Sequence, residues 1–503
     1  MKDHNQARWA TGLVLGASLG GMLAAVRHGP SFLDSAFVSL RYARHLASGD
    51  GLVYNLGERV EGFGDPLWTV VVAAATAIGA PQMDAATALG VISLGAMVLL
   101  VGWIGIRHLG EGPGVLAAFL AAGWPATWVA ARSGDDALFQ AVLILWATGL
   151  ICAEREDGVA SRCTPLALSL LALTGLLGAV SALLLALVGV HRRRCGLGRL
   201  MVVLATLVAL TIIRWSYFGD LIPNYIRAMP WGGVGRWTEG WNWLLQWVSE
   251  APILAGLGLL GGMLSLVVRP TWRSTALIVA LFVVLAVGAG PARVLLWHPV
   301  IPVVGLLALL GAGLLACMSR SPVALRVVLV VALAGFGLRD AQVAHDRASK
   351  VSKARRGRFV QARAMGRFLE LRFPDDELVA MHKTGVVGHY TDNPILDLSG
   401  RSDRQIARVA RRDLRATGKP SRSDIAGAID RNPVVFLHPR SMTGARPGRI
   451  QVPPWYPKRF QSQYASVAIT SRRHWELADM HPLWLFFFLK SGLEPAPEWL
   501  KQP

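Results

Sequence analysis

The residues with the chemistry to act lie in a polar stretch wedged between two apolar ones. It runs from Phe32 to Trp68 and reads FLDSAFVSLRYARHLASGDGLVYNLGERVEGFGDPLW. Asp34 follows the end of the first apolar segment and precedes an amphipathic run in which Phe37, Leu40, Ala43 and Leu46 or Ala47 recur at helical spacing. An ionisable residue beside a bilayer is costly unless it is paired or used, so each one here is a site candidate. Asp34 has two readings, a functional acid or a cap that accepts backbone N–H bonds at the start of the helix; spacing alone favours the cap. Arg41 and Arg44 fall elsewhere on the wheel. Glu58, Arg59 and Glu61 read as a solvated turn or as part of the site, and Gly64-Asp65-Pro66 leads into Leu67 and Trp68, an interfacial anchor.

Three further clusters follow. Arg132-Ser133-Gly134-Asp135-Asp136 stands directly before an apolar helix, where the two carboxylates either favour its positive end or bind a cation or a substrate hydroxyl. YFGDLIPN, from Tyr217 to Asn224, precedes Trp231, Trp237, Trp241, Trp243 and Trp247, a density that suits an interface belt and also sugar stacking or guidance of a lipid chain. Arg293 begins an apolar segment, placed either to snorkel or to clamp a phosphate through its fork of donors.

The elements that must position these residues are mostly membrane helices. The 503 residues are 53% hydrophobic and 17% charged, and the mean hydropathy is +0.42, more apolar than a soluble domain of this size can hide. The formal net charge of +19 comes with no basic-aromatic module, so it reads as topology determinants and contact with anionic membrane lipids, not nucleic acid. Cys152, Cys163, Cys195 and Cys317 form no metal-like or redox-like pair.

Apolar segments are expected at 9–26 (an uncleaved span), 67–80, 86–106, 113–131, 136–152, 164–190, 198–213, 251–268, 275–289, 296–317 and 323–338, about eleven transmembrane or re-entrant helices, some short of the ~20 residues a span needs. Basic clusters at Arg192, Arg193, Arg194 and Arg199, at Arg269 and Arg273, and at Arg320 and Arg326 mark cytoplasmic loops. That leaves 27–66 and 214–250 as external loops. The segment 164–190 suits a broken or re-entrant pair around Thr174–Gly178. Between 67 and 131 the count of crossings conflicts with Arg107 and His108, which belong in the cytoplasm.

Residues 1–338 form this membrane module. From 339 to 503 the composition turns arginine-rich and mixed, with helix at 339–372 and 404–417 and strand-like runs at 378–381, 395–398, 434–437 and 464–469. The fold class is a polytopic α-helical membrane protein with a C-terminal α/β extracytoplasmic domain.

The stretch from Asp34 to Arg44, continued by GLVYNLGERVEGFGDPLW, resembles the first external loop of the C-type (GT-C) membrane glycosyltransferases. The branch is the one containing the terminal arabinofuranosyltransferases of mycolate-bearing bacterial cell walls. RSGDDALF, YFGDLIPN, ARVLLWHPVIP and VVGHYTDNPILDLSGRSD resemble the branch's later motifs in the same order, so the likeness runs from the first span into the C-terminal domain. It implies transfer of a glycosyl residue, arabinofuranosyl among the options, from a polyprenyl-phosphate donor to a cell-envelope glycan or lipid hydroxyl, at the external face of a bacterial inner membrane. Asp34 would be the general base and Arg293 the phosphate clamp; Arg41, Arg44, Glu61, Asp65, Asp135, Asp136 and Asn224 would bind substrate or organise the loop.

The chain departs from the pattern at four places. Ser35 replaces the second of two paired acids, Asp65 an asparagine, Tyr225 a threonine, and Thr174-Gly175-Leu176-Leu177-Gly178 an Arg-Pro-acid element. One acid in place of two weakens the case for a divalent cation, the one cofactor in question. A catalytically degenerate scaffold or regulator of the envelope is the alternative to the enzyme. A transporter ranks third, because neither inverted repeats nor an intramembrane charge pathway is evident.

Overall fold

A computed structural model describes residues 2–189, 193–228, 235–250, 323–409, 422–437, 458–470 and 484–493, with single positions at 256, 260 and 263. The expected segments 275–289 and 296–317, and 251–268 apart from those three positions, lie outside the described residues, as do Arg293 and Trp231.

Apolar runs become helices because the bilayer core offers no water to take up backbone hydrogen bonds. α1 (Lys2–His28) leads to α2 (Asp34–Ser48), which lies within the polar stretch, and then to α3 (Pro66–Ala77) and α4 (Gln82–Leu109). α5 (Glu111–Ala122) and α6 (Pro125–Ala131) follow, bent by 59° where Gly123, Trp124 and Pro125 interrupt the ladder. α7 (Ala137–Asp157), α8 (Cys163–Ala172), α9 (Leu176–Gly189) and α10 (Arg193–Phe218) complete the first half. α8 and α9 part at 173–175, overlapping the break expected around Thr174–Gly178. Among the described residues four helices are long and apolar enough to cross a membrane, five if α5 and α6 count as one span. Leu13, Leu19 and Leu23 of α1 and Val208 and Ile212 of α10 are exposed, as lipid-facing side chains are.

α3 corrects the expectation of an apolar membrane segment at 67–80. Its 12 residues extend about 18 Å, and both ends stay on one face of the molecule. Asp65, at its start, accepts the Ser39 hydroxyl of α2 at 2.5 Å; Met83, beyond its end, accepts the Tyr390 hydroxyl at 2.9 Å. α4 then ends on the opposite face, where Arg107 pairs with Asp157 at 2.5 Å, His108 with Glu156 at 2.7 Å, and Arg199 with Glu154.

The loop expected at 214–250 begins inside α10 and contains α11 (Asn224–Ala228) and α12 (Gly235–Glu250). Trp237, Trp241 and Leu245 are exposed one helical turn apart on α12. α13 (Val323–Arg372) is a single helix of 50 residues, so the boundary drawn at 338/339 falls within it.

Beyond α13 come β1 (Val379–Met381), α14 (Gly385–His389), β2 (Ile395–Asp397), α15 (Arg404–Val409), α16 (Arg422–Asp430), β3 (Val435–Leu437), α17 (Phe460–Gln463), β4 (Tyr464–Thr470) and β5 (Trp484–Lys490). They build a mixed sheet of order β2-β1-β3-β5-β4, parallel in β1, β2 and β3 and antiparallel across β5 and β4. The alternation of strand side chains divides two cores. Ala380, Leu396, Phe436 and Phe488 join Ile425, Phe460 and Tyr464 on one face. Val379, Met381, Ile395 and Val435 face the other way, into a core shared with Phe37, Leu40, Tyr42 and Tyr54 of the polar stretch. The C-terminal domain is thus seated on the polar loop between Phe32 and Trp68.

Candidate functional site

Asp34 is the first residue of α2, not the residue before it. Leu33 holds the N-cap position with extended backbone, and the Asp34 side chain makes no cap bond to its own helix, which corrects the cap reading. The chain is extended there because it docks on the second cluster: Ser31 N donates to Arg132 O at 2.9 Å and Leu33 N to Ser133 O at 3.0 Å. The Asp34 carboxylate turns away from α2 to the C-terminal domain, where Oδ1 accepts the Val386 N–H at 3.0 Å. The residue is half-buried. Burial raises its pKa above the ordinary carboxylate range, against the lowering effect of the Val386 and Gly385 amides and of the Lys383 and Arg401 charges.

The other acids gather beside this junction. Asp65 takes the Ser39 hydroxyl. Asp135 Oδ1 accepts Ser133 Oγ at 2.6 Å and the Ala137 N–H at 3.4 Å, so it is Asp135 that helps cap α7. Asp136 stands at the cap position without a side-chain cap bond. Its pKa is held well above the usual value by burial and then by the fields of Asp65 and Asp135. Among the described residues no group of three or more His, Cys, Asp and Glu side chains is arranged to hold a metal ion.

The candidate substrate-binding residues Arg41, Arg44, Glu61 and Asn224 are each engaged by protein groups. Arg41 is 1% exposed. Its guanidinium donates to the carbonyls of Tyr54 at 2.8 Å, Thr391 and Asn393 at 3.1 Å, and Gly388. Arg44 donates to His389 O at 3.3 Å and pairs with Asp392 at 2.8 Å. Asn224 Nδ2 reaches Gly400 O at 2.7 Å, Asp403 O at 3.0 Å and Arg401 O at 3.1 Å. Glu61 pairs with Arg214 through both carboxylate oxygens, Nη2 to Oε1 at 3.0 Å. Arg41, Glu61 and Asn224 are buried polar groups that must find partners, and here the nearest are backbone carbonyls of the loop and the docked domain and the charge of α10, while the half-buried Arg44 adds an ion pair with Asp392.

The Thr174–Gly178 turn, which stands where the resembling family has Arg-Pro-acid, packs directly on the loop. Gly175 has φ +107°, and a methyl there would strike the Gly64 carbonyl. Gln140 of α7 donates to Thr174 Oγ1 at 2.9 Å. Sequence reading missed Lys383, Gly385 and Arg214. The first two directly precede the VVGHYTDNP motif without belonging to it. Arg214 borders the apolar segment expected at 198–213, and the structure carries the helix past it to Phe218, which puts an arginine within an apolar helix where it needs a partner.

Together the helices, the re-entrant turn and the capping α/β domain define a polytopic membrane protein of GT-C fold. The chain superposes on the crystal structure of ArnT from Cupriavidus metallidurans in the apo state with TM-score 0.53 at 14% identity, over 78% of this chain and 86% of that one. The undecaprenyl phosphate-bound form of that protein gives 0.51 at 14% identity, over 85% and 96%. Archaeal oligosaccharyltransferase AglB from Archaeoglobus fulgidus, in complex with an inhibitory peptide and a dolichol-phosphate, gives 0.53 at 12% identity, over 85% and 69%.

In sequence the chain is 29% identical over 233 residues to a terminal beta-(1->2)-arabinofuranosyltransferase of Mycobacterium tuberculosis (strain ATCC 25618 / H37Rv). The match covers 41% of this chain and only 36% of that relative's length. A family model described as a domain of unknown function (DUF8728) matches residues 336–485.

Proposed function

We propose that the protein is a membrane glycosyltransferase that uses a polyprenyl-phosphate sugar donor, with Asp34 as general base. The observation that carries this reading is the Asp34 carboxylate itself: half-buried at the junction of α2 and the C-terminal domain, with an amide donor on one oxygen and a pKa raised toward the working range of a base. In the reaction Asp34 takes the proton of the acceptor hydroxyl, the freed oxygen bonds to the anomeric carbon, and the bond from that carbon to the phosphate oxygen breaks. Polyprenyl phosphate leaves, and direct displacement inverts the anomeric centre. The lipid phosphates bound by the similar folds support the donor class, and the partial likeness to an arabinofuranosyltransferase makes arabinofuranosyl the first sugar to test. The acceptor is a cell-envelope glycan or lipid.

The site and the C-terminal domain face the outside of a bacterial inner membrane in this reading. Its support is the opposite face, which carries Arg107 and Arg199. The test is transfer from polyprenyl-phosphate sugars in membranes holding the full chain. Asp34→Asn should lower the rate about 10²- to 10⁴-fold, the usual contribution of a general base. Transfer at the wild-type rate by that variant removes Asp34 from the mechanism. If the wild type turns over none of the donors, the scaffold alternative takes its place, with Ser35 and the Thr174–Gly178 turn as its structural grounds.

A further inference from the structure

We propose that the C-terminal domain supplies part of the catalytic centre: the first turn of α14, through the Val386 N–H and the absent side chain of Gly385, sets the position of the Asp34 carboxylate. This rests on the reading of Asp34 as the base. Val386 N lies 3.0 Å from Asp34 Oδ1. A methyl on Gly385 would overlap the Asp34 carbonyl oxygen and come within 3.0 Å of its carboxyl carbon. Gly385 is not among the residues with positive φ, so what requires glycine at 385 is space for Asp34 and not backbone freedom.

The turn is braced on both sides. Tyr54 donates to Thr384 O at 2.6 Å, Arg41 to Gly388 O, and the rings of Phe37 and His389 meet edge to face at 5.2 Å. α2 and α14 therefore form one unit, and a shift of the domain moves the donor off the carboxylate. Lys383 and Arg401 of the domain and Tyr54 of the loop bring the other titratable groups to Asp34, and Arg355 of α13 reaches Ser31 O at 3.2 Å. An amide donor favours the ionised carboxylate, the form that can accept a proton. Val386 and Gly385 are thus positioning residues.

The test uses the full chain in membranes. Val386→Pro removes the N–H at a helix start that tolerates proline, Gly385→Ala adds the methyl, and Val386→Ala keeps the N–H as control. Val386→Pro and Gly385→Ala should each lower kcat about tenfold with donor KM within about twofold, a loss the size of one charge-assisted hydrogen bond. In Val386→Pro the acid limb of the pH–rate profile should move to higher pH, because the carboxylate without its donor keeps its proton longer. Val386→Ala keeps the N–H and should keep the acid limb of the wild type, whatever the lost packing does to the amount of folded protein.

Independently of turnover, Asp34→Ala should speed hydrogen exchange in the peptide covering 385–390. Unchanged exchange in that variant, or wild-type kcat and acid limb in Val386→Pro, overturns the proposal. Altered exchange together with full transfer by Asp34→Asn shows that the contact exists while the base is another group, which overturns the proposal through the reading it rests on.

Discussion

Asn55 and Ile395 exchange two hydrogen bonds across the domain junction: Asn55 Nδ2 donates to Ile395 O at 2.9 Å, and Ile395 N donates to Asn55 Oδ1 at 2.9 Å. β2 is the edge of the sheet, and an open edge presents unpaired N–H and C=O groups. The side-chain amide of Asn55 takes the place of one residue of a missing neighbour strand, so the polar loop closes the sheet.

Asn55→Leu removes both bonds and leaves a buried N–H and C=O unpaired, at a cost of about 2–4 kcal/mol. Asn55→Asp retains the acceptor but sets a buried carboxylate against Ile395 O and the Glu58 carboxylate, so it should cost no less. Thermal midpoints in detergent check that both variants fall below the wild type; a Leu variant as stable as the wild type refutes the closure.

Arg41 should tolerate no substitute. Its fork serves four carbonyls on two sides of the junction, and lysine carries its donors on one nitrogen and cannot match that geometry. Both Arg41→Ala and Arg41→Lys should lose about 3–5 kcal/mol, the range for breaking a buried charge network. Proteolysis of the C-terminal domain in membranes reads this, and resistance equal to the wild type in Arg41→Lys argues against it.

Glu61 and Arg214 are a buried ion pair, the two side chains 4% and 12% exposed. Burial raises the Glu61 pKa, and the Arg214 bond and charge oppose it. Arg214→Met alone leaves a buried carboxylate without its cation, a loss of about 3–5 kcal/mol. Combining it with Glu61→Leu should restore much of the loss, and a double-mutant cycle gives the coupling. Additive losses would show that the pair does not act as one.

His389 should make the domain junction acid-sensitive. It is 8% exposed, and burial, then the charges of Arg44 and Arg41, lower its pKa to about 3. The unfolded chain binds this proton below its ordinary value of 6.5, while the folded chain does not. Stability is therefore full above 6.5 and falls between 6.5 and about 3, by about 1.4 kcal/mol per pH unit. His389→Phe removes that share of the slope. Midpoints at pH 7.5 and 5.5 that shift equally in wild type and variant would exclude His389 as the source.

Local pattern made much of this legible. The helical repeat of Phe37, Leu40 and Ala43 gave α2, and the length of the 164–190 run, too long for one span and too short for two between basic flanks, gave a break around Thr174–Gly178, because amphipathic period and apolar length act within a few turns of chain. The short runs at 378–381, 395–398, 434–437 and 464–469 gave four of the five strands. α3 read as another membrane segment because its composition is that of one; only its docking on α2 and the contact of Met83 with Tyr390 keep both its ends on one face.

The sequence by itself determined a multi-helix membrane protein with a separate α/β domain, and it singled out Asp34. The tertiary structure decided what Asp34, Arg41, Asn55 and Glu61 touch. Asp34 meets Val386 across 352 positions of chain and Arg41 meets Asn393 across a similar separation. Such pairings follow from how the sheet face fits the loop. Hydropathy and periodicity report which surfaces must be buried, and the shape of the packed surfaces chooses the partner.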